Sequence, residues 1–260
     1  MHRFALVVAI GVSFFLAANR LPAQQRVSPE TKAKLDRQFA AAHPQAGDFL
    51  PDLVLQSLKE KDGNQSLRYA TKGEINLLIT ASLTCPKTRQ HMPALTELKE
   101  KYGERLGITI VYVIEAHPEK DICPYLGVVD VTDANLRDKI LFRQPKTMDE
   151  RMKLVRSFAN RYPVDATVLV DTIENLAWRA LGQSPNLALL SNDDDKVLFR
   201  QGWFDPAKLD EEVARQLKNV ETDGQRTDAL DDDISLREDS LKAELARLPL
   251  KKPTLLEFAR

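Results

Sequence analysis

Cys85 opens the tetrapeptide CPKT, at the point where an apolar run ends and a helical pattern begins. Pro86 suits the first position of a helix. The unpaired N–H groups and dipole at a helix start favour an anion. Thiolate is the reactive form of cysteine, so this position predicts a lowered pKa and a nucleophile. Lys87 and Arg89 add positive charge close by. The competing reading is a buried, inert thiol, a common fate of free cysteine. Thr88 stands where a C-x-x-C motif needs its second cysteine. A disulfide partner of Cys85 must therefore be Cys123, a small thiol or another protein. Sequence spacing does not fix whether the two cysteines meet. A structural disulfide and a resolving thiol both stand for Cys123.

Glu115 and His117 end a second apolar run, Gly107–Ala116. Desolvation there should raise the Glu115 pKa. An acid and an imidazole two residues apart lie on one side of a strand and can relay a proton. Taken alone, His117 also fits an exposed strand-end histidine. The four histidines and two cysteines lack metal-ligand spacing, so no metal is expected.

These residues need elements to bring them together. Ile75–Thr80, Gly107–Ala116 and Ala166–Asp171 are apolar enough for buried parallel strands. Pro86–Tyr102 has helical spacing through Met92, Leu95 and Leu98, with Pro93 as a kink and Gly103 as a stop. Thr147–Tyr162 is a helix with Thr147 and Glu150 as a capping box. Residues 130–146 show no clear pattern. A short helix, Thr172–Gly182, an Asn/Asp-turn hairpin, Asn186–Gly202, and a helix, Asp205–Val220, close the domain. Ahead of it, Asp62-Gly63 joins two short extended runs as a hairpin. Ser28–Ala42 reads as an amphipathic helix with thin apolar content, packed outside the core. The expected class is α/β, a thioredoxin-like fold. Its central mixed sheet is flanked by helices, with an added N-terminal hairpin and helical terminal extensions. Ligands then bind beyond the carboxyl ends of the strands, where Ser82–Cys85 and Glu115–Cys123 lie. Pro185 precedes the antiparallel partner expected for the third core strand. In this fold that place holds a cis-proline.

The ends differ from the middle. A basic start, an apolar run from Phe4 to Ala18 and small residues before Gln24 read as a Sec-type signal peptide over 1–23. The run is shorter than the roughly 20 residues a bilayer span needs, so export to a periplasmic or extracellular site is expected, without stable membrane insertion. Residues 24–46 form an N-terminal helical extension, 47–220 the domain, and 221–260 a polar C-terminal helical extension. With 37 Lys+Arg against 38 Asp+Glu, no basic excess points to nucleic acid.

The segments SLTCPKT, IVYVIEAHPEKD and VLVDTIENLAWRALGQSPNLALLSNDDDKVLFRQGWFDP resemble the iodothyronine deiodinases and, more broadly, bacterial deiodinase-like and redoxin proteins. The resemblance spans roughly Gly47–Leu217. It implies a thioredoxin fold and reductive removal of iodine from aromatic rings, with Cys85 where that family carries selenocysteine. By the same resemblance Ser82, Tyr112, Glu115 and His117 belong to a proton-delivery network, and Thr84 lines the nucleophile. No cofactor is implied beyond an external thiol reductant. The partners implied are a small-molecule electrophile or a thiol–disulfide partner, and a homodimer is admitted. The leading expectation is an exported thiol oxidoreductase in which Cys85 attacks a halogen, a peroxide oxygen or a disulfide sulfur. The alternatives are a peroxiredoxin-like peroxidase, with Leu78 where that family has proline, and a non-enzymatic exported domain stapled by a Cys85–Cys123 disulfide.

Overall fold

The computed structural model describes residues 27–59, 63–70 and 73–222, with 237, 238 and 242 beyond them. The expected signal peptide and most of the C-terminal extension lie outside the described residues.

The described chain forms one seven-stranded sheet in the order β2-β1-β5-β4-β3-β6-β7. Its strands are β1 (Val54–Ser57), β2 (Asn64–Ser66), β3 (Ile75–Ala81), β4 (Leu106–Tyr112), β5 (Thr167–Val170), β6 (Ala188–Ser191) and β7 (Val197–Gln201). The three apolar runs, β3, β4 and β5, pair in parallel at the centre. The β1–β2 hairpin adds antiparallel to β5, and β6–β7 adds antiparallel to β3. The strand after Pro185 therefore pairs with the first core strand, not the third. This is the thioredoxin-like architecture expected from the sequence.

Strand alternation sends side chains to two cores. Ile75, Leu77, Ile79 and Ala81 meet Met92, Leu95 and Leu98 of α2 (Pro86–Tyr102), Val155 and Phe158 of α4 (Met148–Arg161), and Leu209, Val213 and Leu217 of α6, residues 206–222. On the opposite face Leu78, Val111 and Leu169 pack with Ala177 of α5 (Leu176–Ala180). Gly103, at φ +56, ends α2 as expected. Thr147 caps α4, but Glu150 reaches the Lys146 N–H at 2.7 Å instead of closing a box on Thr147. The stretch without clear pattern contains α3 (Asp133–Asp138), started by Thr132 and stopped by left-handed Lys139.

The N-terminal helix α1 (Pro29–Ala41) starts at Ser28, whose side chain accepts from Thr31 N–H. It is less peripheral than its composition suggests. Phe39 is fully buried and meets Tyr125 and Trp203 edge-on, with ring centroids 5.8 and 5.2 Å away. Burying one such ring is worth about 1.5–3 kcal/mol, whereas an exposed helix pair such as Lys32–Asp36 is worth about 0.3–0.5 kcal/mol. Phe39 therefore anchors α1. The approach is close enough that a Cβ on Gly202 would lie 2.8 Å from the Phe39 carbonyl carbon. Gly202→Val should push α1 away at a cost of roughly 1–3 kcal/mol. Limited proteolysis is expected to cut within 28–41 in the variant while the sheet stays protected.

Candidate active site

Cys85 sits between the end of β3 and the start of α2, as the residue capping that helix. Its N–H donates to Ser82 O at 3.2 Å, so residues 82–85 form a tight turn at the carboxyl edge of the sheet. The parallel pairing places Ala81 beside Tyr112, and the chain beyond β4 runs alongside this turn.

A buried network joins the two segments. Thr84 N–H donates to Glu115 Oε2 at 2.9 Å. The Tyr112 hydroxyl donates to Glu115 Oε1 and accepts from Leu83 N–H, the latter at 3.1 Å. Ser82 Oγ accepts from Ala116 N–H at 3.3 Å, and Thr84 Oγ1 accepts from His117 N–H at 3.1 Å. Ser82, Thr84, Tyr112, Glu115 and His117 are thus brought together, as expected. Four of these five side chains spend hydrogen bonds on main-chain N–H groups, which makes the network a clamp on the cysteine turn. Burial raises the Glu115 pKa, against the Tyr112 and Thr84 hydrogen bonds that lower it.

Several residues in this shell were not anticipated. Gln144 takes the Glu115 N–H at 3.1 Å and returns its own amide N–H to Glu115 O at 2.6 Å. Asn135, at the start of α3, donates to Thr84 O at 2.9 Å. Arg89 donates to Leu83 O at 2.9 Å and pairs with Asp138 at 3.0 Å. Thr132 ahead of a helix-compatible run was the available signal for α3.

His117 is fixed from its side chain as well. Its Nδ1 lies 2.7 Å from Asp130 Oδ2. Burial alone would lower the ring's pKa, but hydrogen bonds to Asp130 and Cys123 outweigh it and raise it to about 9. The Cys85 thiol runs opposite to the sequence expectation. Burial pushes its pKa up, and the Thr88 hydroxyl, the Thr88 and Lys87 N–H groups and the Arg89 charge do not offset it. The helix start is present, but only 2% of Cys85 is exposed.

Two further expectations change. Both cysteines are free thiols, so no Cys85–Cys123 disulfide staples this structure. The bond before Pro185 is trans, the one cis peptide among the described residues being His43–Pro44. Gly182 and Gln183, at φ +86 and +62, turn the chain before β6. Thr80 Oγ1 then holds Ser184 O at 3.0 Å and Leu187 N–H at 2.8 Å, so the loop reaches the site without a cis bond. The absence of metal-type spacing also proves incomplete, because the fold adds Asp130 to His117 and Cys123.

Cys85 faces a cleft of about 590 Å³, the right size for a small organic ligand. His117, Tyr125, Trp203, Phe204 and Pro185 line it, and Leu35 and Lys32 of α1 form one wall. Asp36 of α1 and His91 and Lys87 of α2 also line the cleft. Burial and the Lys87 charge lower the His91 pKa. Two imidazoles therefore share one cleft in opposite charge states near neutral pH.

The sequence profile of the iodothyronine deiodinase family matches residues 18–218 of the 260. The chain belongs to that family. Thioredoxin-like protein YneN of Bacillus subtilis is 32% identical over 96 residues, 36% of this chain and 55% of that protein, so the chain matches about half of that relative's length. A secreted Mycobacterium tuberculosis disulfide oxidoreductase homologous to E. coli DsbE is 11% identical, with a TM-score of 0.42 over 63% of this chain and 96% of that one. A thioredoxin-like protein from Aeropyrum pernix is 16% identical, with a TM-score of 0.42 over 72% and 94% of the two chains.

The clamp makes a stability prediction. Tyr112→Phe leaves the Leu83 N–H without its acceptor and Glu115 Oε1 without its donor, both buried. Urea unfolding should show a loss of about 2–4 kcal/mol, two unsatisfied groups at roughly 1–3 each with partial relaxation. An unchanged midpoint would mean that the clamp carries no stability.

Proposed function

We propose that this chain is an exported thiol oxidoreductase that removes halogen from small aromatic substrates, with Cys85 as nucleophile. The observation that carries the reading is a cysteine at a helix start that lines an aromatic-walled cleft together with His91 and His117. Such a cleft suits an aromatic ring better than a peroxide, which needs neither the volume nor the aromatic walls. Lys87 suits an anionic substituent on that ring.

His91 takes the Cys85 proton as substrate enters, since the buried thiol does not ionise unaided. The thiolate attacks the halogen, forming a sulfur–halogen bond while the carbon–halogen bond breaks. The electron pair stays on carbon, which takes a proton supplied by His117. An external thiol attacks the Cys85 sulfur and expels halide. A second thiol releases Cys85 and leaves as a disulfide. The sum is aryl halide plus two thiols giving arene, disulfide and hydrogen halide. Cys123 is the alternative to the second thiol: it would form a disulfide with Cys85 and release the first thiol, and two external thiols would then reduce that disulfide, leaving the sum unchanged. Export by residues 1–23 belongs to the same proposal, and a mature chain beginning at Gln24 is its mark.

Halide release from iodophenols by EDTA-treated enzyme with a thiol reductant tests the reaction. Activity should vanish in Cys85→Ser. The rate should rise as His91 loses its proton, on the acid side of the ordinary imidazole range, and fall as His117 loses its proton near about 9. His91→Gln should flatten the acid limb alone. Peroxide reduction without halide release would favour the peroxidase, and no turnover with any thiol would favour a non-enzymatic domain.

A further inference from the structure

His117, Cys123 and Asp130 lie on one loop, six and seven residues apart. A ring nitrogen of His117, the Cys123 sulfur and an Asp130 carboxylate oxygen all lie within 4.8 Å of one another. Cys123 is fully buried, and the His117 and Asp130 side chains are only 21% and 12% exposed.

The loop holds these groups from its main chain. Cys123 N–H donates to Val128 O at 2.8 Å, and Cys123 O accepts from Leu126 and Gly127 N–H at 3.3 and 3.0 Å. Gly127 makes the turn at φ +70. His117 N–H is fixed on Thr84 Oγ1 at 3.1 Å.

We propose that these three side chains bind a zinc-class divalent cation. Thiolate, imidazole and carboxylate are the donors such ions take, and hard ions such as magnesium prefer oxygen alone. A thiolate and a carboxylate together balance a double positive charge. Metal–ligand distances of about 2.0–2.3 Å in a tetrahedral site put donor atoms roughly 3.3–3.7 Å apart. The His117–Asp130 contact of 2.7 Å must open slightly, and the donor atoms, all within 4.8 Å of one another, need close by no more than about an ångström. Side-chain rotation supplies both. The cation takes the place of the proton between His117 and Asp130 and displaces the Cys123 thiol proton. Three protein ligands leave a fourth position for water or an added donor. A bound cation also occupies the ring assigned above to proton delivery, so this site would switch that chemistry off reversibly. The site itself does not depend on the proposed reaction.

Cobalt(II) is the probe, titrated into the full reduced chain after EDTA dialysis. One equivalent should bind with a thiolate-to-cobalt charge-transfer band, and zinc should displace it. Cys85→Ser should keep the band, Cys123→Ser should lose it, and Asp130→Asn should bind at least ~10-fold more weakly. Circular dichroism checks the fold of each variant. If Cys123→Ser does not fold, Cys85→Ser and Asp130→Asn still decide. No charge-transfer band in the wild type, a band lost in Cys85→Ser, or unchanged affinity in Asp130→Asn would overturn the site.

Discussion

Glu115 lies beyond the end of β4 with no exposed surface, and its two carboxylate oxygens accept from Thr84 N–H and the Tyr112 hydroxyl. A carboxyl group in such a place is costly unless it is hydrogen-bonded. Here its partners are the turn that carries Cys85 and a tyrosine that also holds that turn. The position of Cys85 therefore depends on a buried acid that follows the neighbouring strand. Parallel pairing of β3 with β4 is what brings the two ends together. Gln144 and Asn135 extend the same network to the chain between β4 and α4, so the site is braced from three directions.

Burial has a second effect at Cys85. The helix start, Thr88 and Arg89 all favour a thiolate, yet desolvation prevails and the resting thiol is held protonated. The same burial strengthens any charge that develops at the Cys85 sulfur. Lys32, Leu35 and Asp36 of α1 line the cleft that Cys85 also lines, and Phe39 holds α1 against Trp203 and Tyr125. The N-terminal extension is thus part of this cleft, which its thin apolar content did not suggest.

The central strands were legible because Ile75–Ala81 and Leu106–Tyr112 are continuous apolar runs, and only a parallel buried pair accommodates them. Ser82, Thr84, Tyr112, Glu115 and His117 were legible because chain order puts both segments at one sheet edge. Their task was less legible. Side chains expected to move protons were found holding N–H groups, a distinction of direction that sequence spacing does not contain. Asp130 and His91 were missed for a related reason. One lies in a stretch without periodicity and the other within a helix, and only the fold turns them toward the Cys85 region. The loop at Pro185 keeps a trans bond and is held instead by the Thr80 hydroxyl, which bonds Ser184 O and Leu187 N–H.

In the proposed reaction Cys85, and not Cys123, attacks the substrate. Mass spectrometry of the reduced enzyme, quenched after one turnover with an iodophenol and a trapping thiol, tests it most directly. The mixed disulfide should sit on Cys85 in the wild type and persist there in Cys123→Ser. An adduct on Cys123, or none on either cysteine while halide is released, would contradict the account.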